Sequence, residues 1–164
     1  MARRDRLPKA GPTSRAILVL SGPNLQLLGT REPAVYGKET LAAIYARLTP
    51  LAAERGARVD CRQSNHEGQL IDWIHEAGRG IAAGSMIGVV LNPGAFTHTS
   101  VALHDAIKGA SATVIELHIS NVHAREPFRH HSYISPAARG IVVGFGVQGY
   151  AIAISALVRV ASKP

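Results

Sequence analysis

Short apolar segments alternate with longer amphipathic ones along most of the chain. Runs of strand length occur at 17–20, 59–63, 86–91, 114–119 and 141–143. Near-continuous apolar strands separated by amphipathic helices indicate a parallel sheet, because the helices that connect parallel strands cover its two faces. The pattern therefore predicts an α/β protein built on a five-stranded parallel sheet.

Four helices are predicted between and after these strands. They span 40–55, 65–77, 97–107 and 148–160. Pro50 lies inside the first helix, where it either kinks the helix or restarts it with Thr49 as the N-cap. Five β-α units of this kind make a flavodoxin-like doubly wound sandwich, with helices on both faces of the sheet.

Two of the predicted helices have candidate caps. Ser64 and Glu67 have the spacing of a capping box at the start of the second helix. Thr97 or Thr99 is the candidate N-cap of the third. These candidate caps predict where the two helices begin.

Composition favours one globular domain. The chain has 164 residues, of which 46% are hydrophobic and 18% charged, within the range of a single domain. Residues 1–15 contain five Lys or Arg and one Asp, which is +4 of the net charge of +7. We predict a basic, flexible N-terminal tail over 1–14, solvated rather than binding nucleic acid, and a single domain over 15–164. The mildly basic domain suits an anionic small substrate.

Other residue counts exclude several chemistries. No apolar run approaches the roughly 20 residues of a membrane span, and no signal peptide is recognisable, so we expect a soluble cytoplasmic protein. Cys61 is the only cysteine and is expected to be a buried structural thiol. The eight histidines lack zinc-site spacing, and no lysine lies at a strand end for imine chemistry. The glycines of 144–149 match a nucleotide-binding fingerprint only in part and are expected to pack strand against helix.

Polar side chains collect after the strands. Ligands of open parallel sheets bind beyond the carboxyl ends of the strands. The residues in these positions are Asn24, Arg31 and Tyr36 after the first strand, 92–98 after the third, and 118–121, Arg125 and Arg129 after the fourth. One edge of the sheet is therefore the expected site.

The fourth strand places a carboxylate beside an imidazole. Alternation puts Val114, Glu116, His118 and Ser120 on one face of the strand. A hydrogen bond from His118 to Glu116 would fix the imidazole tautomer and raise its pKa, as a general acid requires. The alternative is a buried pair whose only role is to satisfy each other.

The loop after the first strand has glycines at both ends and a polar interior. Gly29 and Gly37 bracket Arg31 and Tyr36, so the segment is either a closing lid or an ordinary surface loop. The reference pKa of tyrosine is about 10, so a tyrosine base needs a nearby cation such as Arg31. Alternatively, Tyr36 only packs the loop.

Four motifs in register resemble the type II 3-dehydroquinate dehydratases. They are Ser-Gly-Pro-Asn-Leu at 21–25 leading to Tyr-Gly at 36–37, Gln-Ser-Asn-His-Glu-Gly at 63–68, Asn-Pro-Gly-Ala-Phe-Thr-His-Thr-Ser at 92–100, and 116–123 with Arg125 and 129–132. The resemblance extends from about residue 16 to residue 157. Departures from the common family pattern are Ser21, Phe96, Pro50 and the basic tail, and none falls on a proposed acid or base.

The resemblance implies a reaction without metal or cofactor, the anti elimination of water from 3-dehydroquinate through an enolate. It implies Tyr36 as the base, held as a phenolate by Arg31, and His118, oriented by Glu116, as the acid. Asn24 would stabilise the enolate through water.

The resemblance also implies the substrate contacts and the assembly. Asn92, His98 and Arg129 would bind substrate hydroxyls, while Ser120 and the backbone N–H groups of Ile119 and Ser120 would bind the carboxylate. Arg125 would belong to the lid. In a dodecamer made of trimers, Asp105 would reach a neighbouring subunit's site. Taken alone, Asp105 is more simply an exposed charge on an amphipathic helix.

Two rival functions remain on the sequence. A non-catalytic flavodoxin-like module would bind an anion at the same strand ends without turnover. A flavin or nucleotide carrier would need a phosphate-cradling loop, and none is recognisable. The same dehydration serves both aromatic biosynthesis and quinate breakdown, and these two roles stay open.

Overall fold

The computed structural model describes residues 14–162. Its sheet has five strands: β1 Ala16–Ser21, β2 Arg58–Gln63, β3 Met86–Asn92, β4 Val114–His118 and β5 Gly140–Val143. Every pairing is parallel, in the order β2-β1-β3-β4-β5. The predicted α/β sheet is confirmed. All of the predicted N-terminal tail except residue 14 lies outside the described residues.

Five α-helices accompany the sheet within the described residues. They are α1 Pro33–Tyr36, α2 Leu41–Ala53, α3 Glu67–Ala82, α4 Val101–Gly109 and α5 Gln148–Ala161. Alternate residues of β1 divide the core: Ile17 packs in the layer of α2 and α5, and Leu18 packs in the layer of α3 and α4. Helices thus cover both faces of the sheet, as predicted. No helix within residues 14–162 has the length and apolar character needed to cross a membrane.

Both predicted caps were wrong. Helix α3 has His66 as its N-cap without a side-chain cap bond, because the Ser64 hydroxyl accepts from the His66 N–H instead of bonding within the helix. Helix α4 is capped by Ser100, whose Oγ accepts from the Leu103 N–H at 2.9 Å. Thr97 precedes that helix in a 3₁₀ segment, Gly94–His98.

Helix α2 runs without interruption through Pro50. Thr49 is therefore a helical residue and not a cap, which excludes the restart, one of the two alternatives that the sequence left open. The cap is Thr40, whose hydroxyl accepts from the Ala43 N–H at 3.2 Å. The proline has no N–H to donate within the helix, so buried Leu48 and Ala52 on either side hold this turn through packing.

The sheet topology defines where a ligand would bind. Strand order reverses between β1, which pairs with β2, and β3, which leads on to β4 and β5. In this topology the crevice lies outside the carboxyl ends of β1 and β3. The two ends are joined there, because the Gly22 N–H donates to the Asn92 carbonyl at 2.8 Å.

Candidate active site

One cavity occupies this crevice. Nine of the eleven side chains predicted for the site line it: Asn24, Arg31, Tyr36, Asn92, His98, His118, Ile119, Ser120 and Arg129. Arg125 lines it as well, whereas Glu116 and Asp105 do not. Among the described lining residues are three arginines and no carboxylate, so the cavity favours an anionic ligand.

The turn after β1 is held close to the end of β3. A Cβ on Gly22 would lie 2.4 Å from the Pro93 carbonyl oxygen, so only glycine fits. Asn24 follows in a left-handed conformation with φ of 67°, and its N–H donates to the Asn65 side chain at 2.9 Å. This geometry holds Asn24 in the lining of the cavity, to which buried Asn92 also belongs.

The predicted carboxylate and imidazole pair is present at the end of β4. Glu116 is fully buried, and its Oε1 lies 2.7 Å from Nε2 of His118. Burial alone would raise the pKa of Glu116, but hydrogen bonds from His118, Ser135 and Thr97 outweigh it and lower that pKa to about 2. An ionised carboxylate can only accept hydrogen bonds, so Nε2 of His118 carries the proton in this bond. The other ring nitrogen, Nδ1, takes no part in it.

His98 lies beside this pair. Its ring stacks on that of His118 with centroids 6.5 Å apart, and its Nδ1 donates to the His131 carbonyl at 2.8 Å. Burial lowers the pKa of His98, and the neighbouring His118 and Arg129 lower it further against the effect of the carbonyl. A neutral His98 with Nδ1 protonated has Nε2 available as an acceptor for a ligand hydroxyl.

The phenol of Tyr36 lies between two guanidinium groups. Nη1 of Arg125 donates to the Tyr36 hydroxyl at 2.7 Å. The guanidinium carbon of Arg31 lies 5.5 Å from the centre of the Tyr36 ring, and Nε of Arg31 lies 3.4 Å from Glu32. Arg31 was predicted as the cation that holds the phenolate. The structure instead places Arg125 at the phenol oxygen.

The sequence did not predict the contact between Arg125 and Tyr36, for a physical reason. Arg125 reaches Tyr36 from a loop 89 positions further along the chain, and it also donates to Ser120 at 3.2 Å. The available signal was its position seven residues after His118, which brings it back over the end of β4.

The charge of Arg129, the other arginine of this loop, is partly offset by a carboxylate. Arg129 lines the cavity, and its Nε donates to Glu126 at 2.9 Å. Glu126 also lies 3.5 Å from Nε of Arg125. One exposed carboxylate therefore orients both arginines of the loop.

Asp105 lies apart from this cavity. It is exposed on α4 and is not among the residues that line the cavity in this chain. A catalytic role for Asp105 would require a second subunit, as the resemblance implies. That role stays a prediction.

Cys61 is half-buried rather than fully buried, and burial raises the pKa of its thiol to about 12, so it is a poor nucleophile. Within residues 14–162, no group of three or more His, Cys, Asp or Glu side chains is placed to hold a metal ion.

Comparison with known proteins places this geometry in context. The family described as Dehydroquinase class II matches residues 15–158. A 3-dehydroquinate dehydratase of Variovorax paradoxus is 71% identical over 144 residues, which cover 88% of this chain and 99% of that protein. A protein of Ralstonia nicotianae named 3-dehydroquinate dehydratase 2 is 71% identical over 147 residues, 89% of this chain and 95% of that protein.

Solved structures agree with the sequence comparison. The type II dehydroquinase of Propionibacterium acnes has a TM-score of 0.84 at 43% identity, covering 90% of this chain and 98% of that one. The type II dehydroquinase of Butyrivibrio crossotus has a TM-score of 0.83 at 43% identity, covering 88% and 97%. These matches confirm the resemblance and the fold class read from the sequence.

Proposed function

The chain belongs to the class II dehydroquinase family, and on this premise we propose that it dehydrates 3-dehydroquinate to 3-dehydroshikimate by anti elimination through an enolate. One observation carries the proposal. A single cavity holds a phenol bonded to a guanidinium and an imidazole bonded to a buried carboxylate. These are a base and an acid at two places around one ligand space.

In the first step, Tyr36 removes a proton from the carbon next to the substrate ketone. The phenolate that this requires is stabilised by Arg125, whose Nη1 lies 2.7 Å from the oxygen, with Arg31 near the ring. The electron pair of the broken C–H bond becomes an enolate. Asn24 stabilises the enolate oxygen, through water in the proposed arrangement.

In the second step, the enolate collapses and expels the hydroxyl on the adjacent carbon. His118 donates a proton to this hydroxyl, so that water leaves and the carbon–carbon double bond forms. Glu116 holds the Nε2 side of the ring at 2.7 Å and stabilises the imidazolium before transfer. After the reaction Tyr36 is a neutral phenol and His118 is a neutral imidazole. Tyr36 must therefore lose a proton and His118 must gain one before the next cycle.

The remaining lining residues position the substrate. Asn92, His98 and Arg129 contact its hydroxyls, and Ser120 with the backbone N–H groups of Ile119 and Ser120 receives its carboxylate. The excess of arginines in the cavity supports an anionic substrate. No lysine lines the cavity among the described residues, which supports an enolate and not an imine.

We extend the proposal to the assembly and the compartment. A dodecamer, a tetramer of trimers, would bring Asp105 to a neighbouring subunit's cavity. Light scattering on the purified protein should then give about twelve times the 17.4 kDa mass of one chain. A mass of one chain with full activity would refute a role for Asp105. We expect the enzyme to act in the cytoplasm, which cell fractionation would test.

The function is tested by mixing the purified protein with 3-dehydroquinate and following the ultraviolet absorbance of the conjugated enone product. The measurement is repeated after treatment with borohydride. Product formation that survives borohydride supports the enolate mechanism, whereas inactivation would indicate a lysine imine. Ligand binding without product would leave only a binding module.

A further inference from the structure

Three hydroxyl groups enclose the buried carboxylate of Glu116. Oε1 lies within hydrogen-bond distance of the Thr97 hydroxyl, at 2.5 Å, and of the Ser132 hydroxyl, at 2.8 Å. Oε2 accepts from Ser135 at 2.5 Å. We name Thr97, Ser132 and Ser135 the hydroxyl cradle. Its members come from the segment after β3 and from the loop before β5, so two separate parts of the fold converge on one side chain.

Proton counting fixes the direction of these bonds. The Ser132 oxygen accepts from the N–H groups of Ile134 and Ser135, each at 3.0 Å, which occupies both of its lone pairs. Its single proton must therefore point to Glu116 or to the Thr97 oxygen, also 2.8 Å away. If it points to Thr97, the Thr97 proton completes the path to Oε1. In either arrangement the cradle ends on an acceptor.

An ionised carboxylate is the partner that this arrangement requires. With Nε2 of His118, the cradle directs donors at both oxygens of Glu116. The other titratable or charged side chains nearby are His98 and Arg129, which line the cavity, and His123, His130 and His131, which line the space on the other side of the pair. Among the residues that the structure describes, His118 is the only one of these that is hydrogen-bonded to Glu116.

We propose that Thr97, Ser132 and Ser135 are positioning residues for the dehydration, because their hydroxyls keep Glu116 ionised and fixed, and Glu116 in turn fixes the orientation of His118. The inference rests on the proposed function for its catalytic consequence only. The charge state of Glu116 is measurable without substrate.

The hydrogen bonds to Glu116 lower its pKa. The pKa of Glu116 is about 2, although burial acts to raise it, so its hydrogen bonds carry the net lowering. Removing one donor raises the pKa. A bond to a charged group changes a protonation equilibrium by roughly ten- to hundredfold, which is about one to two pH units. The variant would therefore protonate Glu116 near pH 3 to 4, and His118 would lose its anionic partner below that pH.

Ser135→Ala is the clearest variant, because Ser135 makes one hydrogen bond to Oε2 and its side chain is only partly buried. Ser135→Thr keeps the hydroxyl and should restore normal behaviour. Ser85→Ala removes an exposed hydroxyl that bonds only the Gly80 carbonyl among the described residues and serves as the matched control. Thr97→Val, paired with Thr97→Ser, is an independent second probe if Ser135→Ala does not fold.

The first measurement is the carbon-13 shift of the Glu116 carboxyl between pH 3 and 7 in full-length protein. The unsubstituted chain should remain ionised throughout, while Ser135→Ala should begin to titrate at the acid end. The second is kcat and KM for 3-dehydroquinate over the same range. We expect kcat of Ser135→Ala to fall about three- to tenfold at pH 7 and further below pH 4, with KM little changed.

Unchanged carboxyl titration in folded Ser135→Ala and Thr97→Val protein would overturn the proposal. So would a shifted titration with kcat equal to that of Ser85→Ala at every pH. If the unsubstituted chain shows no turnover, the proposed function fails, and the carboxyl titration still decides whether the cradle holds Glu116 ionised.

Discussion

Replacing Arg125 by methionine tests the contact on which the proposed base depends. Methionine keeps much of the aliphatic length and removes the charge. The lost interaction is a 2.7 Å hydrogen bond to the Tyr36 hydroxyl, made by a side chain that is only 15% exposed. At about 4 Å between charge centres, the attraction between a guanidinium and a phenolate is about 1 kcal/mol in water and about 4 kcal/mol in a partly buried site.

These limits convert to a loss in kcat of roughly 5- to 1000-fold. Substrate affinity should change less than kcat, since Arg31 and Arg129 still line the cavity.

The assay is steady-state dehydration of 3-dehydroquinate at several pH values, with Arg79→Met as the control. Arg79 is exposed on α3 and is absent from the cavity lining. If Arg125→Met lost no more activity than Arg79→Met, or if its loss fell on KM and not on kcat, Arg125 would have no part in forming the phenolate.

Three further predictions follow from single contacts. Glu116→Gln should lower kcat at least 100-fold, because the neutral amide can no longer stabilise an imidazolium. The same change should also flatten the pH dependence of the free energy of unfolding. A carboxyl whose pKa drops from 4.5 to about 2 on folding contributes about 3 kcal/mol of stability above pH 4.5, and this contribution is lost as pH falls towards 2. Urea unfolding at several pH values measures the difference. Gly22→Ala should lower the free energy of unfolding by about 3 kcal/mol or more, because its Cβ would lie 2.4 Å from the Pro93 carbonyl oxygen. The control Gly68→Ala places a Cβ in open space on a helix and should be neutral or slightly stabilising. Equal melting temperatures of the two variants would contradict this prediction. Tyr45→Phe should cost about 1 kcal/mol in thermal unfolding with kcat unchanged, since its half-buried hydroxyl donates at 2.7 Å to a fully buried serine of β1; a large loss of activity would link this bond to the site.

The sequence predicted the parts of the site that depend on strand geometry. Alternation along β4 placed Glu116 and His118 on one face, and the structure joins them at 2.7 Å. The rule that ligands bind beyond parallel strand ends brought Asn24 and Asn92 to one cavity. In both cases the signal is local, because a strand has a fixed period and a parallel sheet has one carboxyl edge.

The parts that the sequence missed depend on how loops fold back. Arg125 reaches the Tyr36 hydroxyl from 89 positions away, and Ser135 reaches Glu116 from a loop without regular period. The predicted caps were wrong for a related reason. The Ser64 hydroxyl can accept from a nearby turn N–H as well as from a helix N–H, and the sequence does not decide between the two. Thr97, expected as a cap, belongs to the hydroxyl cradle.

The most direct test of the central claim is turnover of 3-dehydroquinate by Tyr36→Phe beside the unsubstituted chain, with ligand binding measured on both. Phenylalanine keeps the ring between Arg31 and Arg125 and removes only the oxygen that is proposed to take the proton. The account predicts a loss in kcat of at least about 1000-fold with binding largely retained. A kcat within a few-fold of the unsubstituted chain would contradict it and assign the base to another residue.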